Sequence, residues 1–353
     1  MSVRTATVNR RETPPANSRH QELLPGPDVH RRSLALLVAG MGLGLSMPPA
    51  RAQSFPAHPV RIVSPFSAGS GPDAAARFVG ERLSAIWKQS VLVDARPGAS
   101  GFLAIAAMKQ TAATGSDLLL ADVGHLAINP ALFKKLPYDP KADFVPVGGL
   151  LHTSFFVAVS ANSPYRTVKE LVAAAAAAPG RVTYGSTSIG GPPHLGAAQL
   201  EAASGTRMTH VPYKEISQLN IAVSNGEVDW TMGSLASSGP LLKAGRVRYL
   251  AIADDIRSPS LPNVPTLEES GGPRGVQARS WVALMAPRGT PAAVVAMLSL
   301  SLNEVLRQPE VAEKFATFGY VPYPLTPASL AALIDSDTVA FAAMVKRTGA
   351  STD

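Results

Sequence analysis

The stretch VRIVSPFSAGSGPDAAARFVGERLSAIWKQSVLVDARPGASG, residues 60–101, decides the fold. Val60 to Val63 is a short β-branched run and reads as a strand. A Gly-rich turn follows, Phe66-Ser67-Ala68-Gly69-Ser70-Gly71-Pro72-Asp73, and then a helical stretch from about Asp73 to Trp87. Val91 to Val93 is a second strand, closed by a second Gly-rich turn, Arg96-Pro97-Gly98-Ala99-Ser100-Gly101. Strand, glycine turn and helix repeated in that order predict parallel strands in a sheet covered by helices on both faces.

Outward from this stretch the alternation continues. A helix is expected from about Phe102 to Ala112 and a strand over Leu118–Ala121. Past His152, the apolar run Phe155–Val159 reads as a strand crossing to a second α/β set. That set predicts strands at Val182–Gly185, Met208–Val211, Val228–Met232 and Val247–Ala253. Its helices fall at about 167–178, 193–203, 215–225 and 235–244, the first capped by Thr167 and stopped by Pro179-Gly180. Trp281–Ala286 reads as a returning strand, and helices near 291–307, 310–317 and 327–347 are expected to pack back on the first set. Two sets joined by two crossing strands make a hinge, and a hinge makes a cleft. The expected lobes are residues 53–152 plus 280–353, and residues 153–279.

Residues 1–52 read as a leader rather than as part of the fold. Arg31-Arg32 precede an apolar run from Leu34 to Met47, which is long enough for a signal-peptide core and too short to span a bilayer. Ala50-Arg51-Ala52 supplies a small-x-small cleavage site, so cleavage is expected after Ala52. The polar, proline-bearing residues 1–30 fit either translation starting near Val29 or a long leader on the twin-arginine route. The absence of a Phe-Leu-Lys continuation favours the first.

The chain carries a net charge of +7, of which residues 1–52 contribute +4. The remaining +3 is a mild bias, compatible with handling anions and far from a nucleic-acid footprint. No cysteine occurs, which excludes thiol catalysis and thiolate metal sites and fits an exported protein without disulfides. The five histidines past the leader, His58, His125, His152, His194 and His210, form no His-x-x-x-His or His-Glu-x-x-His pair, so no metal is expected. There is no Walker loop, no Gly-x-Gly-x-x-Gly and no Gly-x-Ser-x-Gly elbow, so neither a cofactor nor catalysis is expected.

A third Gly-rich turn, Gly185-Ser186-Thr187-Ser188-Ile189-Gly190-Gly191, follows a strand of the second set. Open α/β sheets bind ligands at the carboxyl ends of their strands, where free N–H groups and helix N-termini favour an anion. One such turn is an ordinary connection; three, spread over two lobes, point to an anion held in a cleft. His125 and His194 stand where they can face it, although either can equally be structural. Asp73 reads as a helix N-cap, Tyr213-Lys214 can face the cleft, and Arg96 can reach a carboxylate or salt-bridge beside its loop.

The order of short motifs resembles the receptors of tripartite tricarboxylate transporters, the Bug-type periplasmic solute-binding proteins. It runs from Phe55-Pro56-x-x-Pro59-Val60-Arg61-Ile62-Val63 through Pro65-Phe66-x-Ala68-Gly69, Asp73-x-x-Ala76-Arg77 and Arg96-Pro97-Gly98-Ala99-x-Gly101. It continues with Ile128-Asn129-Pro130, Leu136-Pro137-Tyr138-Asp139-Pro140, Asp143-Phe144-x-Pro146-Val147, His194-Leu195, Val211-Pro212-Tyr213-Lys214 and Leu261-Pro262-x-Val264-Pro265-Thr266. Trp281 and Ala286-Pro287-x-Gly289-Thr290-Pro291 close the series.

The resemblance implies a two-lobed type II periplasmic-binding-protein fold with two crossing strands as its hinge. It implies a small carboxylate held by Phe66, Ala68, Gly69, Ser70, Asp73, Ala99, Ser100 and His125 on one side, and by Ser186, Thr187, Ser188 and His194 on the other. The implied partners are the two membrane subunits of a tripartite transporter, with a monomeric receptor in the periplasm. Pro72 stands where the family usually has Thr, and Ala95 where it commonly has Asn, so donors are lost and a less charged or monocarboxylate ligand is favoured. Two other readings stay open: a receptor that feeds a signalling protein, and a hydrolase or transferase, which requires a nucleophile–base pair in the cleft.

Overall fold

The computed structural model describes residues 55–187 and 189–349. The expected leader, the expected cleavage after Ala52 and Ser188 lie outside the described residues. In chain order the elements begin with β1 (Val60–Ser64), α1 (Gly71–Trp87), β2 (Val91–Ala95), α2 (Phe102–Lys109), β3 (Asp117–Asp122) and β4 (Phe144–Ser160). Then follow α3 (Val168–Ala177), β5 (Thr183–Ser186), α4 (Pro192–Ser204), β6 (Thr209–Pro212), α5 (Ile216–Asn225), β7 (Trp230–Ser234), α6 (Leu235–Lys243) and β8 (Val247–Ile252). The chain closes with β9 (Arg279–Pro287), α7 (Ala292–Leu306), α8 (Pro309–Thr317), β10 (Val321–Pro322) and α9 (Pro327–Thr348).

The strands run in the order β2-β1-β3-β9-β4-β7-β5-β6, with β8 and β10 pairing β4 off this path. β1, β2 and β3 are mutually parallel, and so are β5, β6 and β7. Each parallel trio is the expected product of strand–turn–helix repeats, because parallel neighbours need a helical crossover. The trios are joined through β9 and β4, which run antiparallel.

β4 belongs to both halves. Residues Phe144–Ser154 pair β9, and from Phe155 onward the strand pairs β7 and β8. The passage between halves thus falls between Ser154 and Phe155, directly beside Arg279 at the start of β9. The sequence marks only Phe155–Val159 as strand, because Pro146, Gly148 and Gly149 upstream look like breakers. Register shifts at Pro146/Gly148 and Gly149/Leu151 accommodate them as bulges. The two-residue β10 is too short to leave a periodic signal and exists by pairing His152 and Leu151.

Two apolar clusters flank the first half of the sheet. One joins Ile62, Val79 and Leu83 to Leu298, Leu302, Val311 and Phe315, so α7 and α8 return to cover β1 and α1. The other joins Leu119, Leu126 and Trp281 to Leu330 and Ile334 of α9. Two further clusters, around Trp230 and around Phe156 and Tyr249, hold the second half.

Trp281 carries a polar obligation within its cluster. Its ring is buried, and Nε1–H donates to Asp337 Oδ2 at 2.7 Å. Burial pushes the Asp337 carboxyl above its ordinary range, against the opposing pull of that hydrogen bond and of Arg279. Trp281→Phe keeps most of the apolar contact and removes the donor. It is expected to cost about 1–3 kcal/mol, read as a lower urea midpoint; an unchanged midpoint would show the bond to be dispensable.

Candidate functional site

β1 ends at Ser64, and the chain turns through Phe66–Ser70 into α1. Ser70 is the N-cap, with its hydroxyl buried and unpartnered, and Asp73 sits three residues into the helix rather than at the cap. From there the fully buried Asp73 carboxylate reaches back to accept from Gly69 N–H at 2.8 Å. Arg77, one turn on, donates to the same carboxylate at 2.9 and 3.2 Å. Asp73 is therefore spent on shaping the first loop. Ala68 and Gly69 are exposed at the bend.

The second loop is unusual in its backbone. Gly98, Ala99, Ser100 and Gly101 all have positive φ, at 118°, 47°, 52° and 85°. Two consecutive non-glycine residues in this region are a local strain that only a well-braced structure keeps. Ala99 and Ser100 stand exposed, while Gly101 is buried. The brace is His125: a Cβ at Gly101 would overlap its Nε2. Arg96 takes the salt-bridge alternative, pairing Asp94 at 2.9 Å.

His125 is fixed in turn by Asp122 at the end of β3. His125 Nδ1 lies 2.5 Å from Asp122 Oδ1, and the His125 N–H donates to the same oxygen at 3.0 Å. Asp122 N–H in turn lies 3.3 Å from the same Nδ1, so residue 122 holds the ring through both its backbone and its side chain. Burial raises the Asp122 carboxyl, but the His125 charge and hydrogen bonds outweigh it and hold the carboxyl below the ordinary value. Phe66 meets the imidazole edge-on, with ring centroids 6.1 Å apart. Phe66, Gly101, Asp122 and His125 thus bring together the carboxyl ends of β1, β2 and β3.

In the second half, Ser186 ends β5 and Thr187 follows, half-buried. His194, in the first turn of α4, accepts from Gly190 N–H on Nδ1 at 3.0 Å. Its ring lies 4.3 Å from that of His210, which lies 5.0 Å from Tyr184. Burial, and secondarily His210, push His194 down to about 4, and burial also lowers His210. Both imidazoles are therefore neutral near pH 7. Gly190 packs so closely on Leu132 that a Cβ would overlap that side chain. This brings the third loop against the segment that follows His125, so the loops of the two halves meet.

His210 and Ser186 form a pair that the sequence did not announce, with Oγ and Nε2 2.8 Å apart. It matches the nucleophile–base contact a hydrolase needs, but Ser186 is only 1% exposed. Among the described residues no acid orients the other ring nitrogen of His210. Asp122, Tyr184 and His210 are site residues to which the sequence assigns no role. Asp122 had one available sign, its i, i+3 spacing to His125; the others depend on register between strands distant in sequence.

Residues 75–350 match the tripartite tricarboxylate transporter family receptors. A UPF0065 protein of Bordetella bronchiseptica is 34% identical over 301 residues, covering 83% of this chain and 89% of that one. An R. palustris protein solved with adipate superposes with a TM-score of 0.73 at 29% identity, covering 84% of this chain and 98% of the other. MatC from Rhodopseudomonas palustris with bound malate gives a TM-score of 0.69 at 27% identity, covering 82% and 100%. With a match that spans most of its length and the same two-lobed α/β fold, this chain belongs to the family of tripartite tricarboxylate transporter receptors.

Proposed function

We propose that this protein is an extracytoplasmic receptor that captures a small organic carboxylate between two lobes, residues 53–152 with 280–353 and residues 153–279, and delivers it to the membrane subunits of a tripartite transporter. The observation that carries the reading is the left-handed loop Gly98–Gly101 braced by His125 and Asp122. A strained backbone held in place at the carboxyl ends of parallel strands is a binding device. The family and the adipate and malate bound to two structural neighbours support a carboxylate as ligand, and family membership supports a periplasmic location. Closure supplies the mechanism: a ligand touching loops of both lobes favours the closed form and shifts the population toward it.

The test uses purified protein without the leader, against a panel of mono-, di- and tricarboxylates. One-to-one binding with a thermal upshift is expected, since ligand at a hundred times its Kd adds about 2.7 kcal/mol. Small-angle scattering should show compaction with the same ligand. A well-folded protein that no carboxylate shifts would remove the reading.

A further inference from the structure

Beside the first loop lies an open cavity of about 820 Å³ between the two halves of the molecule. Gly69 and Gly71 form one end of it, so it reaches the first of the loops proposed to hold the carboxylate. Its walls are largely apolar: Leu235, Ala236 and Leu242 from α6, Leu261, and Phe318 and Tyr320 after α8. Among the described residues no acid lines it, and the one charged lining residue is Lys243. The Tyr320 hydroxyl rests against Gly71 and makes no hydrogen bond among the described residues. The volume lies in the range of about 300–1,000 Å³ typical of sites that enclose a drug-sized ligand. A short hydroxy-diacid would leave most of it empty, while its two carboxylates would face a largely apolar wall.

We propose that this cavity takes an apolar tail, so that the preferred ligands are monocarboxylates bearing a medium-length alkyl chain or an aryl group. The proposal rests on the carboxylate-binding reading above and names the ligand class of that same site. Three features agree with it. The cavity is continuous with the first loop, its net charge complements one negative group, and the Tyr320 hydroxyl stands free at the junction to donate to that group. The loss of donors at Pro72 and Ala95 points the same way, since a second carboxylate would need them.

The experiment is calorimetric titration of the leaderless protein with acetate, butyrate, hexanoate, octanoate and 3-phenylpropionate, with malate and succinate as the short diacids. Affinity is expected to rise about threefold to fourfold per methylene along the alkyl series. Octanoate and phenylpropionate should bind more tightly than either diacid. Ala236→Trp, at an exposed wall position, should weaken octanoate about tenfold or more while leaving butyrate within about twofold. Ala74→Phe, which enters the cavity from α1, should do the same, and circular dichroism establishes that each variant is folded. A flat alkyl series, tighter binding of the diacids, or octanoate affinity untouched by both variants overturns the proposal, and a bound diacid leaves the carboxylate receptor itself standing. Failure of every acid in both classes overturns both together.

Discussion

Gly101→Val is expected to abolish measurable carboxylate binding and to destabilise the fold by about 2–5 kcal/mol. Two costs combine. Gly101 has φ of +85°, where a β-branched residue is strained, and any Cβ there overlaps Nε2 of His125. The imidazole cannot easily yield, because Nδ1 is held by Asp122 and the ring edge by Phe66. Gly205→Ala separates the two costs: φ is +64° but nothing lies within 4 Å, so only the backbone penalty of about 1 kcal/mol remains. The double variant Gly101→Ala/His125→Ala removes the overlap. It should be more stable than the sum of the single changes predicts, by about 0.5–3 kcal/mol of coupling. Additive single changes would show that His125 does not brace the loop.

The second large effect is a loss of stability in acid. His194 titrates near 4 in the fold, against 6.5 ordinarily, because burial and the neighbouring His210 disfavour its charged form. Between those values the unfolded chain takes up a proton that the folded chain refuses. Unfolding is therefore favoured progressively as pH falls from 6.5 toward 4, and the contribution is fully present only above 6.5. Its size is up to about 3 kcal/mol. Urea unfolding of wild type and His194→Gln at pH 7, 5.5 and 4.5 tests this. The variant's pH profile should be flatter, since it has no imidazole to protonate; parallel profiles would assign the acid lability elsewhere. The lowered His210 acts in the same direction and remains in the variant, so some slope persists.

Much of the fold was legible because its repeating unit is local. A β-branched run, a glycine turn and an amphipathic helix each declare themselves within about a dozen residues, and most elements fall within two residues of where periodicity puts them. Thr167 caps α3 as read, accepting from Glu170 N–H at 3.2 Å. The first part of β4 escaped because its bulges carry Pro and Gly, which read as breakers until β9 and β10 supply partners. The sequence suggests Asp73 as an N-cap; in the fold it is a first-turn acid reaching back to Gly69, and both positions suit an acid near a helix start.

At the site, the sequence by itself determined where the turns fall: glycines after Val60–Ser64, Val91–Ala95 and Thr183–Ser186 mark where a backbone must bend sharply. It also placed Pro72 and Ala95, neither of which offers a side-chain donor, at the start of α1 and the end of β2. Only the tertiary structure decided what those loops rest on. The packing of His125 on Gly101, the Tyr184–His210–His194 column and the cavity between α1 and α6 each join residues from separate elements. Local pattern reports the conformation a segment prefers, whereas these contacts depend on strand register and helix packing, which are set by burial of the whole core.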